Sequence, residues 1–285
     1  MKIWLMPRVA VIIPAFNRAA VLPRAVASVL NQDCRDYELI VVDDASTDDT
    51  AERMRRFAGG HRLAYHRLPL HRGVSAARNL GVSRTSAPLV AFLDSDDCWD
   101  LDKLSRHLEW IDRHPAFRLS QTRERWVRGG RRVNPPKTHE KRQGWIFEES
   151  LCRCMITPSS VIIQRSLFEE VGGFNESLPV CEDYDLWLRI TCRYPVGLVD
   201  RYLLTRYGGR DDQLSNSFMG LDRFRIRGIM DLLGSGVLDE RRAESARRSL
   251  REKARIVGNG YRKRGNDELW KHYRRIGERY AAARA

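Results

Sequence analysis

Three short acidic clusters contain the side chains with which this sequence could do chemistry. They are Asp43–Asp44, Asp94–Asp97 and Glu182–Asp185, and an apolar segment borders each of them. Carboxylate oxygens bind hard divalent cations such as Mg²⁺ or Mn²⁺, which commonly share them with substrate phosphates. A carboxylate can also remove a proton as a general base. Each cluster has a structural alternative, because Asp and Ser also form turns and cap helices, and acidic residues favour helix N-termini.

Three buried strands would position two of these clusters. Residues 9–13, 38–42 and 89–93 are short, continuous apolar segments, which is typical of strands covered on both faces. Apolar residues with helical spacing lie between them, and a more polar strand is predicted at 62–68. Strands that alternate with helices predict an α/β domain with a mixed, mostly parallel sheet flanked by helices.

The carboxyl ends of these strands are the expected ligand site, because ligands of open α/β sheets bind there. Pro14, Phe16 and Asn17 follow the first strand, Asp43–Asp44 follow the second, and Asp94–Asp97 follow the third apolar strand. Polar and aromatic side chains at three strand ends therefore predict one binding site at this edge of the sheet.

The order of the motifs resembles that of the family 2 glycosyltransferases of GT-A fold. The resemblance is carried by seven segments: Val11–Arg18, Val41–Asp48, Gly73–Gly81, Leu93–Asp97, Pro158–Ser160, Gly172–Glu176 and Glu182–Arg189. Short motifs of this kind are weak singly, and their ordered combination is specific. The resemblance implies a GT-A domain over residues 1–216, with a nucleotide-sugar half at about 1–112 and an acceptor half at about 143–216.

The resemblance also implies an activity. Family members transfer a sugar from a nucleotide diphosphate donor to an acceptor hydroxyl, usually with inversion at the anomeric carbon. UDP is the family's commonest nucleotide, with GDP and dTDP as alternatives. The implied acceptor is a glycan or a lipid-linked molecule, and the implied pathway is cell-surface glycan or polysaccharide biosynthesis.

Individual residues receive roles from the same resemblance. Nucleotide binding is implied for Pro14, Phe16, Asn17, Asp44, Arg78, Asp94 and Arg210. Asp96, Asp94 and Asp97 would hold Mn²⁺ or Mg²⁺, which neutralises charge on the leaving nucleotide diphosphate. Asp183 would be the general base, and Glu182 would orient Asp183 or the acceptor.

Three of the implied site residues keep a second interpretation. Arg78 is either a phosphate contact or a charge on a helix surface. Arg210 stands where the family often has a His, so it either binds the diphosphate or lies in a solvated Gly-Gly turn. Trp187 either lines the acceptor pocket or packs in the interior.

Two basic regions lie outside the motifs. Residues 113–142 hold ten Lys or Arg against two acidic residues, and their Gly-Gly and Pro-Pro pairs predict a loop or a hairpin excursion. Residues 217–285 are predicted to form a basic helical appendage, because Ala243, Ala246, Leu250 and Ala254 recur at helical spacing.

Composition limits the remaining classes of protein. The 285 residues are 42% hydrophobic, so disorder over the whole length is excluded. No apolar run approaches the roughly 18 residues of a membrane-spanning helix, and the first residues do not read as a signal peptide. We therefore expect a cytoplasmic protein in which the six cysteines are reduced thiols.

The net charge of +13 allows several partners: nucleic acid, an anionic membrane surface or a phosphorylated substrate. Carboxylates occupy the presumed chemical centre, so nucleic acid is not the expected partner. Docking at the inner face of the cell membrane is a hypothesis for the surplus Lys and Arg, and solvated helix faces are its alternative.

Two competing functions remain open at this point. The first is a basic protein without transferase activity that binds nucleic acid or a membrane surface. The second is a sugar-nucleotide pyrophosphorylase, which would need a Gly-rich, basic loop after the first strand. This chain has Pro14-Ala15-Phe16-Asn17 there, which disfavours the second alternative.

Overall fold

Nine strands form one mixed sheet in the computed structural model, which describes residues 6–57, 62–209, 218 and 220–281. The strands are β1 (Val9–Ala15), β2 (Tyr37–Asp43), β3 (Leu63–Arg67), β4 (Leu89–Phe92), β5 (Cys98–Trp99), β6 (Leu119–Arg128), β7 (Arg131–Val133), β8 (Val161–Gln164) and β9 (Gly197–Gly208). Their order is β3-β2-β1-β4-β8-β6-β9-β5, and β7 pairs with the outer part of β6.

The half of the sheet formed by β3, β2, β1 and β4 is parallel throughout. Every residue of β1 and β4 is buried, as expected for apolar strands with helices on both faces. In the β1–β2 register Ala15 lies opposite Asp43, so the two strands end together. The prediction that the strand ends meet at one edge is therefore confirmed.

The other half of the sheet contains part of residues 113–142, for which the sequence predicted a loop or a hairpin excursion. Strand β6 lies inside the sheet, antiparallel to β8 and parallel to β9. The hairpin alternative is confirmed where β7 pairs with β6, but an excursion is wrong for the first part of β6, where Ser120, Gln121 and Thr122 are buried. The polar sequence hid a buried strand because partners inside the fold satisfy some of its side chains, as His107 Nε2 does for Ser120 Oγ at 2.8 Å.

Helices cover both faces of the sheet. They are α1 (Leu22–Leu30), α2 (Thr50–Arg55), α3 (Val74–Ser83), α4 (Lys103–Arg113), α5 (Phe147–Cys152), α6 (Arg165–Glu170), α7 (Glu182–Thr191), α8 (Asp222–Gly234), α9 (Glu240–Lys263) and α10 (Asp267–Arg279). Helices α1 and α4 pack on one face, and α3, α6 and α7 pack on the other. Helix α3 approaches the sheet closely at Gly81, where an added Cβ would lie 2.5 Å from Ile12 Cγ2 of β1.

The C-terminal region is helical, as the spacing predicted. Ala243, Ala246, Leu250 and Ala254 form the buried face of α9. Residues of α5, α7, α8 and α9 share one apolar cluster, so α8 and α9 pack against α5 and α7. The domain boundary near residue 216 remains a prediction. None of the helices in the described ranges is long and apolar enough to cross a membrane.

Candidate active site

The loops after β1 and β2 are joined by Asn17. Its backbone has a positive φ of 53°, a conformation that Asn tolerates better than most residues. The Asn17 Oδ1 atom accepts hydrogen bonds from the Thr47 and Asp48 amides at 2.8 and 3.4 Å, and the Asn17 amide donates to Ser46 Oγ. Pro14 is buried within β1. Both residues therefore shape the strand ends.

Asp44 and Phe16 lie at the predicted nucleotide side and meet through His71. The Asp44 carboxylate accepts hydrogen bonds from the Arg72 and Gly73 amides, each at 2.7 Å, and lies 2.8 Å from His71 Nδ1. The Phe16 ring stacks on the His71 imidazole with a centroid distance of 3.9 Å. Asp44 thus holds the start of α3 in place, and sequence reasoning gave no role to His71.

Ser159 forms hydrogen bonds with two residues of the acidic cluster after β4. The Asp94 amide donates to Ser159 Oγ at 3.0 Å, and that hydroxyl donates to Asp97 Oδ2 at 2.7 Å. The other oxygen of Asp97 accepts a hydrogen bond from the Tyr207 amide. Asp97 is 4% exposed, and burial, with the nearby Asp94 charge, raises its pKa well above the ordinary value. These contacts disfavour Asp97 as a metal ligand.

Asp94 and Asp96 are the more accessible carboxylates of the cluster. The Asp94 side chain is 30% exposed. Burial and the charge of Asp94 raise the pKa of Asp96, because two close carboxylates disfavour each other's ionisation. In the described ranges no three His, Cys, Asp or Glu side chains form a ready-made metal site. Asp94 and Asp96 instead fit a site of another kind, in which one or two carboxylates bind Mg²⁺ or Mn²⁺ together with substrate phosphates.

Arg78 connects this cluster to the second acidic pair. Its guanidinium lies 2.7 Å from Asp94 Oδ1 and 2.7 Å from Glu182 Oε1. The Arg78 side chain is only 4% exposed, so the interpretation as a helix-surface charge is wrong. Burial raises the pKa of Glu182 even though Arg78 opposes the shift. The predicted nucleotide contact of Arg78 remains a prediction beside this bridging position.

Asp183 lies in the first turn of α7 and is partly exposed. A helix N-terminus favours a carboxylate because of its unpaired amides and its dipole. The Cys154 thiol lies 3.3 Å from Asp183 Oδ2 and 3.2 Å from the Ile156 carbonyl oxygen, so these two acceptors share its single proton. Burial and the Asp183 charge raise the pKa of Cys154 well above its ordinary value, which keeps the proton on sulfur for this bond. Sequence reasoning missed Cys154, since nothing local predicts the contact.

Trp187 does not line the site. It is 1% exposed and lies in the core, edge-on to Phe174 with ring centroids 6.4 Å apart. Because α7 turns this side chain toward the sheet, the predicted acceptor-binding role is wrong and the packing interpretation is confirmed. Arg210 lies outside the described residues.

Comparisons with known proteins identify the family of this chain. The family described as "Glycosyl transferase family 2" matches residues 10–172. A PGL/p-HBAD biosynthesis glycosyltransferase from Mycobacterium bovis is 32% identical over 207 residues, which are 69% of this chain and 74% of that protein. The chain belongs to glycosyltransferase family 2.

Other relatives are longer than this chain. An uncharacterized glycosyltransferase from Rickettsia felis is 30% identical over 220 residues, which are 77% of this chain but 35% of that protein. The chain therefore spans about a third of the length of this relative.

Solved structures identify the fold. Staphylococcus aureus TarS in complex with UDP-GlcNAc has a TM-score of 0.67 at 17% identity, covering 96% of this chain and 91% of that one. The mannosyltransferase PcManGT from Pyrobaculum calidifontis, in complex with GDP-Man and Mn²⁺, has a TM-score of 0.64 at 17% identity, covering 97% and 85%. The fold is that of the GT-A glycosyltransferases, as expected.

Proposed function

We propose that this glycosyltransferase is a metal-dependent, inverting enzyme that transfers a hexose from a nucleotide diphosphate sugar to an acceptor hydroxyl. One observation carries the proposal: the buried Arg78 joins Asp94 of the acidic cluster to Glu182, the neighbour of Asp183. The donor-side and acceptor-side carboxylates therefore belong to one network. The complexes of TarS with UDP-GlcNAc and of PcManGT with GDP-Man and Mn²⁺ support such a donor and such a metal.

The donor half would bind the nucleotide beside Phe16 and Asp44. Phe16 supplies an aromatic face, which His71 already orients by stacking. Asp94 and Asp96 would hold Mn²⁺ or Mg²⁺, and the ion would supply positive charge for the leaving diphosphate. A UDP-sugar is the proposed donor.

The acceptor half would place Asp183 against the attacking hydroxyl. Asp183 accepts the proton of that hydroxyl as its oxygen attacks the anomeric carbon from the face opposite the diphosphate. Cys154 Sγ lies 3.3 Å from one carboxylate oxygen of Asp183, and the Tyr184 amide at the start of α7 donates to the other at 2.6 Å. Glu182 acts through Arg78 and keeps the two halves aligned.

A binding experiment tests the donor and metal assignments. Melting temperatures are measured with UDP-GlcNAc, UDP-glucose and GDP-mannose, each with Mn²⁺ and with EDTA. We expect one nucleotide sugar to stabilise the protein only with Mn²⁺, and Asp96→Asn to abolish that stabilisation. Asp200→Asn is the matched control, because that carboxylate is 70% exposed and lies at a surface ion pair with Arg123. Equal stabilisation of both variants would contradict the assignment.

The acceptor, the pathway and the location are also proposals. A glycan or lipid-linked acceptor in cell-surface glycan or polysaccharide biosynthesis would place the protein at the cytoplasmic face of a membrane. The surplus Lys and Arg would contribute roughly 1 kcal/mol each near an anionic leaflet. Co-sedimentation should therefore favour vesicles that contain phosphatidylglycerol over neutral vesicles, and equal sedimentation would contradict membrane docking.

A further inference from the structure

A group of basic and aromatic side chains, here termed the basic wall, lies near Asp97 at one end and near Asp183 at the other. It consists of Trp126, Arg128, His139, Arg153 and Arg206. Strands β6 and β9 set one end of the wall, because Trp126 lies opposite Arg206 in their parallel register. The residue after Arg206 donates its amide to Asp97 at 3.2 Å, so this end adjoins the acidic cluster.

The other end of the wall adjoins the proposed general base. Arg153 directly precedes Cys154, whose thiol contacts Asp183. His139 lies between the two ends, with its ring 5.5 Å from that of Trp126. Burial, together with the charges of Arg153 and Lys141, lowers the pKa of His139. One end of the wall thus adjoins the acidic cluster and the other adjoins Asp183, and under the proposed function the acceptor lies between these two ends.

The wall has more positive charge than its internal partners neutralise. Beneath it, the buried Glu124 lies 3.2 Å from Lys141 Nζ and 3.2 Å from an Arg206 nitrogen. Burial acts to raise the pKa of Glu124, but these two cations hold it at about 2, so the carboxylate stays ionised. Within the part of the chain that the structure describes, Arg128 and Arg153 have no carboxylate partner. Glu124 is therefore shared by Lys141 and Arg206, and Arg128 and Arg153 add two further positive charges to the wall.

Two guanidinium groups of the wall are held on Trp126. Arg128 lies 5.4 Å and Arg206 lies 5.2 Å from the ring centroid, within the range of cation–π attraction. The indole N–H donates to Glu124 at 2.7 Å, which fixes the ring. Guanidinium groups fixed in this way lose less entropy on binding, and their forked donors match phosphate and carboxylate oxygens.

We propose that the basic wall binds an anionic group of the acceptor, a phosphate or a carboxylate carried near the hydroxyl that receives the sugar. This inference rests on the proposed function, because it assigns the chemical class of the acceptor of the same site. Arg206 also feels the charges of Asp97 and Asp94 and lies nearest the donor side. Arg128 and Arg153 are therefore the residues that test the acceptor assignment.

The test is a calorimetric titration with three hexoses that differ in one substituent. The protein is first saturated with UDP and Mn²⁺, so that added phosphate does not occupy the donor subsite. Glucose 6-phosphate, glucuronate and glucose are then titrated. We expect at least one of the two anions to bind more tightly than glucose, and the tighter anion identifies phosphate or carboxylate as the acceptor group.

Charge-removing variants locate the binding. Arg128→Gln and Arg153→Gln should each weaken binding of that anion by roughly tenfold, the usual effect of a lost hydrogen bond to a charged group. Arg248→Gln is the control, because it removes the same charge from an exposed position on α9. Melting temperatures verify that the variants are folded.

Three results of the anion titrations would overturn the inference. They are equal binding of glucose and both anions, failure of both anions to bind at millimolar concentrations, and unchanged anion affinity in Arg128→Gln and Arg153→Gln. A parallel loss of UDP affinity in these variants would assign the arginines to the donor subsite, which also overturns it. If UDP does not bind at all, the proposed donor fails, and the titrations without nucleotide still test the anion site.

Discussion

Replacing Arg78 by Met is expected to destabilise the protein strongly and in a pH-dependent manner. The substitution removes the guanidinium that lies 2.7 Å from both Asp94 and Glu182. The Glu182 side chain is 7% exposed, so its charge cannot be rehydrated in the folded state, whereas Asp94 at 30% is partly screened by solvent. Removing one partner of a buried ion pair typically costs about 3–5 kcal/mol, and most of that loss should come from Glu182.

The direction of the pH dependence follows from Glu182. Its folded-state pKa is already raised above the ordinary value of 4.5, so its contribution to stability declines as the pH rises through the folded-state pKa. Without Arg78 that pKa rises further, and the folded variant binds the proton over a wider range. The loss in the free energy of unfolding caused by Arg78→Met should therefore be larger at pH 8 than at pH 5, by roughly 1 kcal/mol or more.

Urea unfolding at pH 5 and pH 8 measures this effect. Arg78→Lys is the matched control, because it keeps the charge but loses the forked geometry, and it should fall between wild type and Arg78→Met. Adding Glu182→Gln to Arg78→Met should recover part of the lost stability, since the uncompensated charge is then gone. A deficit below about 1 kcal/mol at pH 8, or equal deficits at both pH values, would refute the reasoning.

Three further predictions concern packing and the site. Gly81→Ala should lower the free energy of unfolding by about 1–3 kcal/mol because its Cβ would overlap β1, whereas Gly277→Ala, with open space around it, should not destabilise; equal urea midpoints would contradict this. Asp97→Asn should keep Mn²⁺-dependent nucleotide binding in calorimetry, and its loss would restore Asp97 as a ligand. Cys154→Ala should lower kcat by roughly 2- to 10-fold and Cys154→Ser should restore most of it, because Asp183 needs a hydrogen-bond donor; no rescue by Ser would contradict this role.

The parallel half of the sheet and the strand-end carboxylates could be predicted from the sequence. Continuous apolar segments such as Val9–Ile13 strongly favour buried strands. Acidic residues directly after such strands must lie at the carboxyl edge of the parallel sheet. The motif order supplied Asp94, Asp96 and Asp183 as candidates, and in the structure Arg78 joins Asp94 to Glu182, the neighbour of Asp183.

Contacts between distant segments could not be predicted. The Asp183–Cys154 bond joins residues 29 positions apart, and the Arg78–Glu182 pair joins residues 104 positions apart. Periodicity gives the face of a helix only when the apolar stripe is clear, and Trp187 lies on a short helix that is buried on most sides. Strand β6 was missed because some of its polar residues, such as Ser120, find partners only in the folded protein.

The most direct test of the central claim is the rate of sugar transfer by Asp183→Asn compared with wild type. The assay follows nucleotide release from the nucleotide sugar that stabilises the protein, with Mn²⁺ and with the acceptor class identified by the anion titrations. A general base contributes roughly 10²–10⁴-fold, so we predict a loss of that size in kcat with nucleotide affinity unchanged. Turnover by Asp183→Asn within a few-fold of wild type would contradict the assignment of Asp183 as the base.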